Sequence, residues 1–196
     1  MTRDEIKSLA EKGADFSKIP LKGLSVSWID FSSAKKLTPE NLFSAKDVSG
    51  CKLPSMDFLK FSLAGKNVSG IDFREAKNLT AENLFSAKDV RICKLPHMDF
   101  LNFSLKSKDV SEIDFSRAKN LTLNNLISAK NFEYCAISED MQIKPLRSNA
   151  AKAKLETNIY VIDSTGEMKE MSIAEFAASK KDPAAMRHLL LKKFGE

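Results

Sequence analysis

The sequence lacks any long hydrophobic run, and this absence bounds the kinds of protein it can encode. No stretch of the 196 residues reaches the ~18 consecutive apolar residues that a transmembrane helix needs. The N-terminal segment MTRDEIKSLAEKG also lacks the apolar core of a secretory signal peptide. We therefore expect no membrane span and no export by the Sec pathway.

Cysteine and histidine are scarce, which argues against disulfide, metal and nucleophilic sites. Cys51, Cys93 and Cys135 are 42 residues apart and form no C-x-x-C pair, so we expect free, buried thiols in a reducing compartment. His97 and His188 have no neighbours in sequence that suggest catalysis or metal binding. Neither a glycine-rich phosphate loop nor an H-E-x-x-H motif occurs. The sequence predicts no catalytic residue, no metal site and no cofactor.

Charge of one sign is not concentrated in any segment. The 31 Lys and Arg residues and the 26 Asp and Glu residues are interspersed, and the net charge is +5. A nucleic-acid-binding domain normally gathers its basic residues on one face. We therefore expect no nucleic-acid partner.

The sequence does contain an internal repeat. Segment 68–79, VSGIDFREAKNL, spaces its apolar residues 3-2-3-3, which matches neither an amphipathic helix nor a long alternating strand. The same spacing returns in segments 26–37 and 110–121, and with other residue types in segments 48–59 and 90–101. Each period of 42 residues therefore holds two related repeats.

A five-residue period runs inside these repeats over residues 14–143. It begins as ADFSK, IPLKG, LSVSW and IDFSS, with Phe16, Leu21, Val26 and Phe31 at every fifth position. This pattern resembles the pentapeptide-repeat family. The resemblance implies an all-β solenoid, a right-handed quadrilateral β-helix of about six coils spaced about 4.8 Å apart. The motif I-D-F-S-x-A-K-N-L-T also resembles a leucine-rich repeat, so a leucine-rich-repeat-like solenoid is the alternative.

The five-residue period predicts which side chains form the core. The central residue of each five-residue unit should point inward, and these residues fall into four columns of nearly constant type. Alternation of large and medium side chains along a column is what close packing of a narrow core requires. The columns are Leu21, Leu42, Leu63, Leu84, Leu105, Leu126; Val26, Val48, Val68, Val90, Val110, Phe132; Phe31, Leu53, Phe73, Leu95, Phe115, Ile137; and Phe16, Leu37, Phe58, Leu79, Phe100, Leu121, Ile143.

Alternate repeats carry two extra residues in the segments LTPENLFSAKD, LTAENLFSAKD and LTLNNLISAKN. The threonine at the second position of each segment predicts a short helical turn, because threonine caps helix N-termini. The asparagines of these segments predict part of an amide ladder. The residues concerned are Thr38, Thr80 and Thr122 for the caps, and Asn41, Asn83 and Asn125 for the ladder.

The sequence as a whole predicts three parts of the chain. These are an N-terminal capping helix within 1–13, the repeats over 14–143, and a linker with a small α+β module over 144–196. In the last part, TNIYVID and MKEMSI flank a turn and predict a hairpin. Ser172 should begin one helix, and 182–183 should begin another.

Two apolar surfaces are candidate partner-binding sites. Phe43, Phe85 and Ile127 follow inward leucines and would form an outward stripe on regular strands. The alternative is that the extra residues bend this side, so that the rings turn inward. Leu190 and Phe194 share one face of the predicted C-terminal helix and form the second candidate.

These observations favour a non-enzymatic protein–protein interaction scaffold. The resemblance implies a bacterial protein, located in the bacterial cytoplasm or, as a secreted effector or adaptor, in the host cytosol. One alternative is a DNA mimic that binds a topoisomerase such as gyrase, like the Qnr-type quinolone-resistance proteins. The lysines of the repeats and a pI near 9.0 argue against the regular negative charge of such a mimic. The other alternative is an enzyme with an unrecognised site in the C-terminal module.

Overall fold

A computed structural model describes residues 1–141 and 154–180. The chain divides into two compact units, Met1–Met98 and Asp99–Glu196, and the division falls inside the repeats. Three predicted features lie outside the described residues: the inward position of Ile143, the second C-terminal helix, and the candidate surface formed by Leu190 and Phe194.

The first unit begins with helix α1, Arg3–Glu11, which confirms the predicted N-terminal helix. Thr2 and Glu5 form a capping box: the Thr2 hydroxyl accepts from the Glu5 amide at 3.3 Å, and the Glu5 carboxylate accepts from the Thr2 amide at 2.8 Å. Ile6 and Ala10 are fully buried on one face. The helix therefore contributes its apolar face to the core of this unit.

The remaining regular elements of the first unit are very short. They are a 3₁₀ turn at Phe16–Lys18, helix α2 at Pro39–Leu42, strands β1 at Met56–Asp57 and β2 at Ala76–Lys77, and helix α3 at Ala81–Leu84. Strands β1 and β2 pair in parallel. Elsewhere in the unit, successive repeats meet through single parallel bridges, such as those that join Asp30 to Lys52 and Lys52 to Asp72.

The predicted fold class is therefore wrong. A quadrilateral β-helix and a leucine-rich-repeat solenoid both need continuous parallel sheet, whereas the described strands have two to five residues and lie in sheets of two or three strands. One physical reason is that left-handed residues interrupt the ladder between short extended segments. In one row of turns these are Trp28, Gly50, Gly70 and Ile92, with φ of 60°, 68°, 71° and 64°. The second reason is that the inserted segments form helical turns instead of strands.

The predicted core is confirmed although the sheet is not. Every described residue of the four inward columns is at most 7% exposed. Neighbouring rings pack edge to face, with centroids 5.5 Å apart for Phe16 and Phe31 and 5.7 Å apart for Phe58 and Phe73. Side-chain burial therefore follows the five-residue period even where no strand forms.

The inserted segments form the predicted helical turns, and each is capped by its threonine. The asparagines, however, do not bond to one another as a ladder would require. The Asn83 Oδ1 accepts from the Leu63 amide at 2.9 Å, and its Nδ2 donates to the Phe61 carbonyl at 2.7 Å. Asn41 and Asn125 make the equivalent bonds to backbone groups of the preceding repeat. Each amide thus joins its insert to the repeat before it.

The second unit repeats this pattern and then changes to longer strands. Strand β3, Met98–Asp99, contains the point of division and forms a two-stranded sheet with β4, Ala118–Lys119, and helix α4 spans Leu123–Ser128. Strand β5, Ala136–Ser138, pairs in parallel with β6, Asn158–Ile162, which pairs antiparallel with β7, Met168–Ser172. Helix α5, Ile173–Ser179, begins with a capping box at Ser172. The predicted hairpin and the helix after it are confirmed.

Candidate functional site

The stripe suggested as a partner-binding surface is not at the surface. Phe43, Phe85 and Ile127 are 6%, 3% and 4% exposed. The Phe43 ring stacks on the ring of Phe61, with centroids 5.3 Å apart. Phe43 is the C-cap of α2, and the helical turn places it inward where a strand would have placed it outward. The alternative considered from the sequence, in which the inserted residues turn these side chains inward, is what the structure shows.

The surface feature that sequence reasoning missed is Trp28, the single tryptophan of the chain. Its side chain is 68% exposed. The residue occupies the third position of a four-residue turn, closed by the Ile29 amide donating to the Val26 carbonyl at 3.3 Å. The Trp28 amide donates to the Ser49 carbonyl of the next repeat at 2.8 Å. These bonds fix the backbone from which the exposed indole projects.

The indole lies against two glycines of the following repeats. A Cβ built on Gly50 would come within 2.4 Å of both Cδ2 and Cε3 of Trp28, and one built on Gly70 would lie 3.7 Å from Cη2. Because Cδ2 is bonded to three ring atoms in the plane, a Cβ so close to it must lie above that plane. One face of the indole therefore rests on Gly50, and the opposite face is directed away from it.

Gly50 is required by the indole more than by its own backbone conformation, whereas a Cβ on Gly70 would meet the Gly50 backbone first, at 3.2 Å from its Cα. The residue in the same position of the next repeat is Ile92, a β-branched residue at φ 64°, and Trp28 itself has φ 60°. Side chains are therefore accommodated in this left-handed conformation, although it normally favours glycine. At Gly50, any side chain would overlap the ring. We call Trp28, Gly50, Gly70 and Ile92 the tryptophan corner.

Polar groups border the tryptophan corner. Ser27, Ser49 and Ser69 precede its first three residues, one in each successive repeat. In the described part of the chain, the hydroxyls of these serines have no hydrogen-bond partner. The Arg3 guanidinium donates to the Ser27 carbonyl at 2.7 and 3.2 Å, and Arg91 stands beside Ile92. A serine therefore precedes each of the first three residues of the corner, and an arginine lies next to Ser27 at one end and next to Ile92 at the other.

Comparison with known proteins returned no relative. No protein-family model, no curated protein and no solved structure matches the chain. The resemblance to pentapeptide repeats is thus neither supported nor contradicted by a match, and remains a hypothesis.

Two kinds of feature are absent from residues 1–141 and 154–180. No helix in those ranges is long and apolar enough to cross a lipid bilayer. No group of three or more His, Cys, Asp and Glu side chains in the same ranges is placed to hold a metal ion.

The three cysteines are free and buried, as predicted. The Cys51 and Cys93 thiols donate to the carbonyls of Val26 and Val68 at 3.1 and 3.0 Å. Burial raises the pKa of both thiols to about 12 and also raises the pKa of Cys135. Thiolate is the reactive form of cysteine, so these groups are poor nucleophiles at neutral pH.

This burial predicts a large difference in alkylation between the native and the unfolded protein. A pKa about three units above the ordinary value reduces the thiolate fraction about a thousandfold. We expect iodoacetamide at pH 8 to modify none of Cys51, Cys93 and Cys135 in buffer and all three in concentrated urea. Intact-mass spectrometry measures the difference. Rapid modification of the native protein, or a disulfide between any two of them, would contradict the assigned burial.

Proposed function

We propose that this chain is a non-enzymatic protein-binding scaffold and that Trp28 is its main contact residue. The observation that carries the proposal is an exposed indole with one face resting on Gly50. Tryptophan is strongly enriched among the residues that dominate binding energy at protein interfaces. Covering the exposed part of such a side chain, on the order of 100 Å², would contribute about 3 kcal/mol.

The backbone at Trp28 supports the same conclusion. A non-glycine residue in the left-handed region costs about 1 kcal/mol or more. Glycine fills the equivalent place in the next two repeats, Gly50 and Gly70, so the turn itself does not need a tryptophan. A large apolar side chain at this turn therefore opposes both conformational preference and solvation, which is typical of a residue used for binding.

The test uses the intact chain as bait in lysates of bacteria and of a host cell, with Trp28→Gly as the variant. Glycine keeps the native turn, so folding should be unaffected. We expect at least one captured protein to be lost from Trp28→Gly. The matched control is Leu59→Ser, which removes another exposed apolar side chain, 70% exposed, from the same unit. That variant should keep every partner.

The identity of the captured protein separates the alternatives. A Trp28-dependent host protein would support an effector, and a bacterial one would support an adaptor within the bacterium. Capture of gyrase would instead favour the topoisomerase-binding alternative. If Trp28→Gly and the unchanged chain capture the same proteins, Trp28 is not a contact residue and the proposal is wrong.

A further inference from the structure

The tryptophan corner has a regular spacing along the repeats. The amides of Trp28, Gly50 and Gly70 donate to carbonyls of the next repeat, Ser49, Ser69 and Arg91, at 2.8–2.9 Å. Backbones paired in this way lie about 4.8 Å apart. The bordering serines, Ser27, Ser49 and Ser69, therefore recur about every 4.8 Å, and the first and third are about 9.6 Å apart.

This spacing matches one type of polypeptide conformation. A polyproline II helix has three residues per turn and rises about 3.1 Å per residue, so its equivalent carbonyls repeat every ~9.3 Å. In an extended strand, equivalent groups repeat about every 6.7 Å. The spacing of two repeats of the corner thus matches one turn of polyproline II, whereas the repeat distance of an extended strand does not match it.

The chemistry of the corner fits the same occupant. Proline has no backbone N–H, and a polyproline II segment satisfies none of its carbonyls internally, so it requires donors from its partner. Ser27, Ser49 and Ser69 can donate through their hydroxyls. The exposed face of Trp28 offers a flat apolar surface for a pyrrolidine ring, the pairing used by known proline-binding domains.

We infer that the tryptophan corner binds a proline-rich segment of the partner protein in the polyproline II conformation. The inference rests on the proposed protein-binding function. One proline ring lies on the outer face of Trp28, and carbonyls one turn apart accept from the hydroxyls of Ser27 and Ser69. Both sides are rigid before they meet, because the indole rests on glycine and polyproline II is preformed, so little conformational entropy is lost on binding.

Charge does not favour a different kind of peptide. Between Trp28 and Ile92 the corner consists of Gly50 and Gly70, each preceded by a serine. Both flanking arginines are already engaged: the Arg3 guanidinium donates to the Ser27 carbonyl, and Arg91 Nη2 lies 2.7 Å from Asp89 Oδ2. An acidic or a basic segment would therefore gain little from these surroundings, whereas an uncharged proline-rich one loses nothing.

The chain contains one tryptophan, so its emission reports directly on this site. The probe is decaproline with blocked termini, titrated into the full-length protein; a blocked Gly-Ser decapeptide is the peptide control. We expect decaproline to cause a saturable blue shift of the emission maximum at up to millimolar concentration, and the control peptide to cause none. A cello-oligosaccharide is titrated in parallel, because a sugar ring can also stack on an indole. A shift with the sugar alone would overturn the inference.

Variants then identify the contacts through the anisotropy of fluorescein-labelled decaproline. Trp28→Gly should weaken binding about thirtyfold or more, as truncation of an aromatic anchor does. Ser27→Ala combined with Ser69→Ala should weaken it about tenfold. Ser32→Ala, an exposed serine of the same unit, should change nothing. Unchanged affinity in the Ser27 and Ser69 double variant would overturn the assigned geometry.

Failure of this inference and failure of the proposed function give different results. If decaproline does not bind but Trp28→Gly still loses a captured protein, the corner binds a protein that is not proline-rich, and only the inference is wrong. If decaproline does not bind and Trp28→Gly keeps every partner, both are wrong.

Discussion

Leu63→Asp is expected to unfold the first unit of the protein. Leu63 is fully buried in the leucine column, and the substitution places a carboxylate there without a partner. Burying an unpaired charge costs several kcal/mol, and the lost apolar burial adds about 2 kcal/mol more. Because a domain is typically stable by about 5–15 kcal/mol, the sum removes most or all of that margin. Circular dichroism and thermal melting measure the loss.

The neighbouring residue provides a matched control for this prediction. Ala64 follows Leu63 and is exposed, so Ala64→Asp adds the same carboxylate one position away on the surface. We expect its free energy of unfolding to change by no more than about 0.5 kcal/mol. A native spectrum and an unchanged melting temperature in Leu63→Asp would show that this column is not the core.

The core was predictable from the sequence because burial depends mainly on spacing. Leu63 and its equivalents recur at fixed intervals, and the residues between them are mostly polar. An apolar side chain is most stable in the core, away from water, whatever hydrogen bonds its backbone makes. The helix caps were predictable for a similar reason, since Thr38 or Thr80 acts within one turn of its own sequence.

The fold class was not predictable because it depends on backbone conformation that the residue types do not indicate. Tryptophan and isoleucine normally favour extended structure, yet Trp28 and Ile92 adopt left-handed turns. Each such turn ends the local ladder after one or two residues. The prediction that Phe43 points outward was wrong for the same reason, because it assumed a strand where α2 makes a helical turn.

The tryptophan corner did leave a signal in the sequence. Trp28 has Gly50 and Gly70 as its counterparts in the next two repeats, and Ile92 after them. A position that holds the largest side chain in one repeat and glycine in the next two suggests that the large side chain lies over the neighbouring glycine. This signal lies at positions that point away from the core, whereas the five-residue period identifies only the positions that point inward.

Asn83→Asp is expected to destabilise the first unit strongly although it preserves shape. The half-buried Asn83 amide accepts from the Leu63 amide and donates to the Phe61 carbonyl. A carboxylate can still accept, but it places a second oxygen 2.7 Å from the Phe61 carbonyl oxygen, where the amide nitrogen now lies. Loss of the donor and the resulting repulsion should lower the free energy of unfolding by about 3 kcal/mol at pH 7, as measured by urea denaturation.

The pH dependence of Asn83→Asp tests the stated cause. Only the protonated carboxyl can donate to the Phe61 carbonyl, so the fold should raise the pKa of the introduced group above its unfolded value of about 3.9. Stability relative to the unchanged protein should therefore be largely restored below about pH 4 and lost as pH rises through the raised folded pKa.

Asn67→Asp is the control for that experiment. The exposed Asn67 accepts from the Ser69 amide at 3.0 Å, and Asp47 and Asp89 make the same bond in neighbouring repeats. An aspartate is therefore already suited to this position, and Asn67→Asp should change stability little at pH 7. Hydrogen bonds from the side chain and the backbone amide of the residue two positions later lower the pKa of Asp89. Because the amide bond should lower the pKa of the introduced carboxyl in the same way, any change in acid should be a loss and not a recovery. If Asn83→Asp is equally harmless, or if its deficit does not shrink in acid, the donor to Phe61 does not join the insert to the preceding repeat.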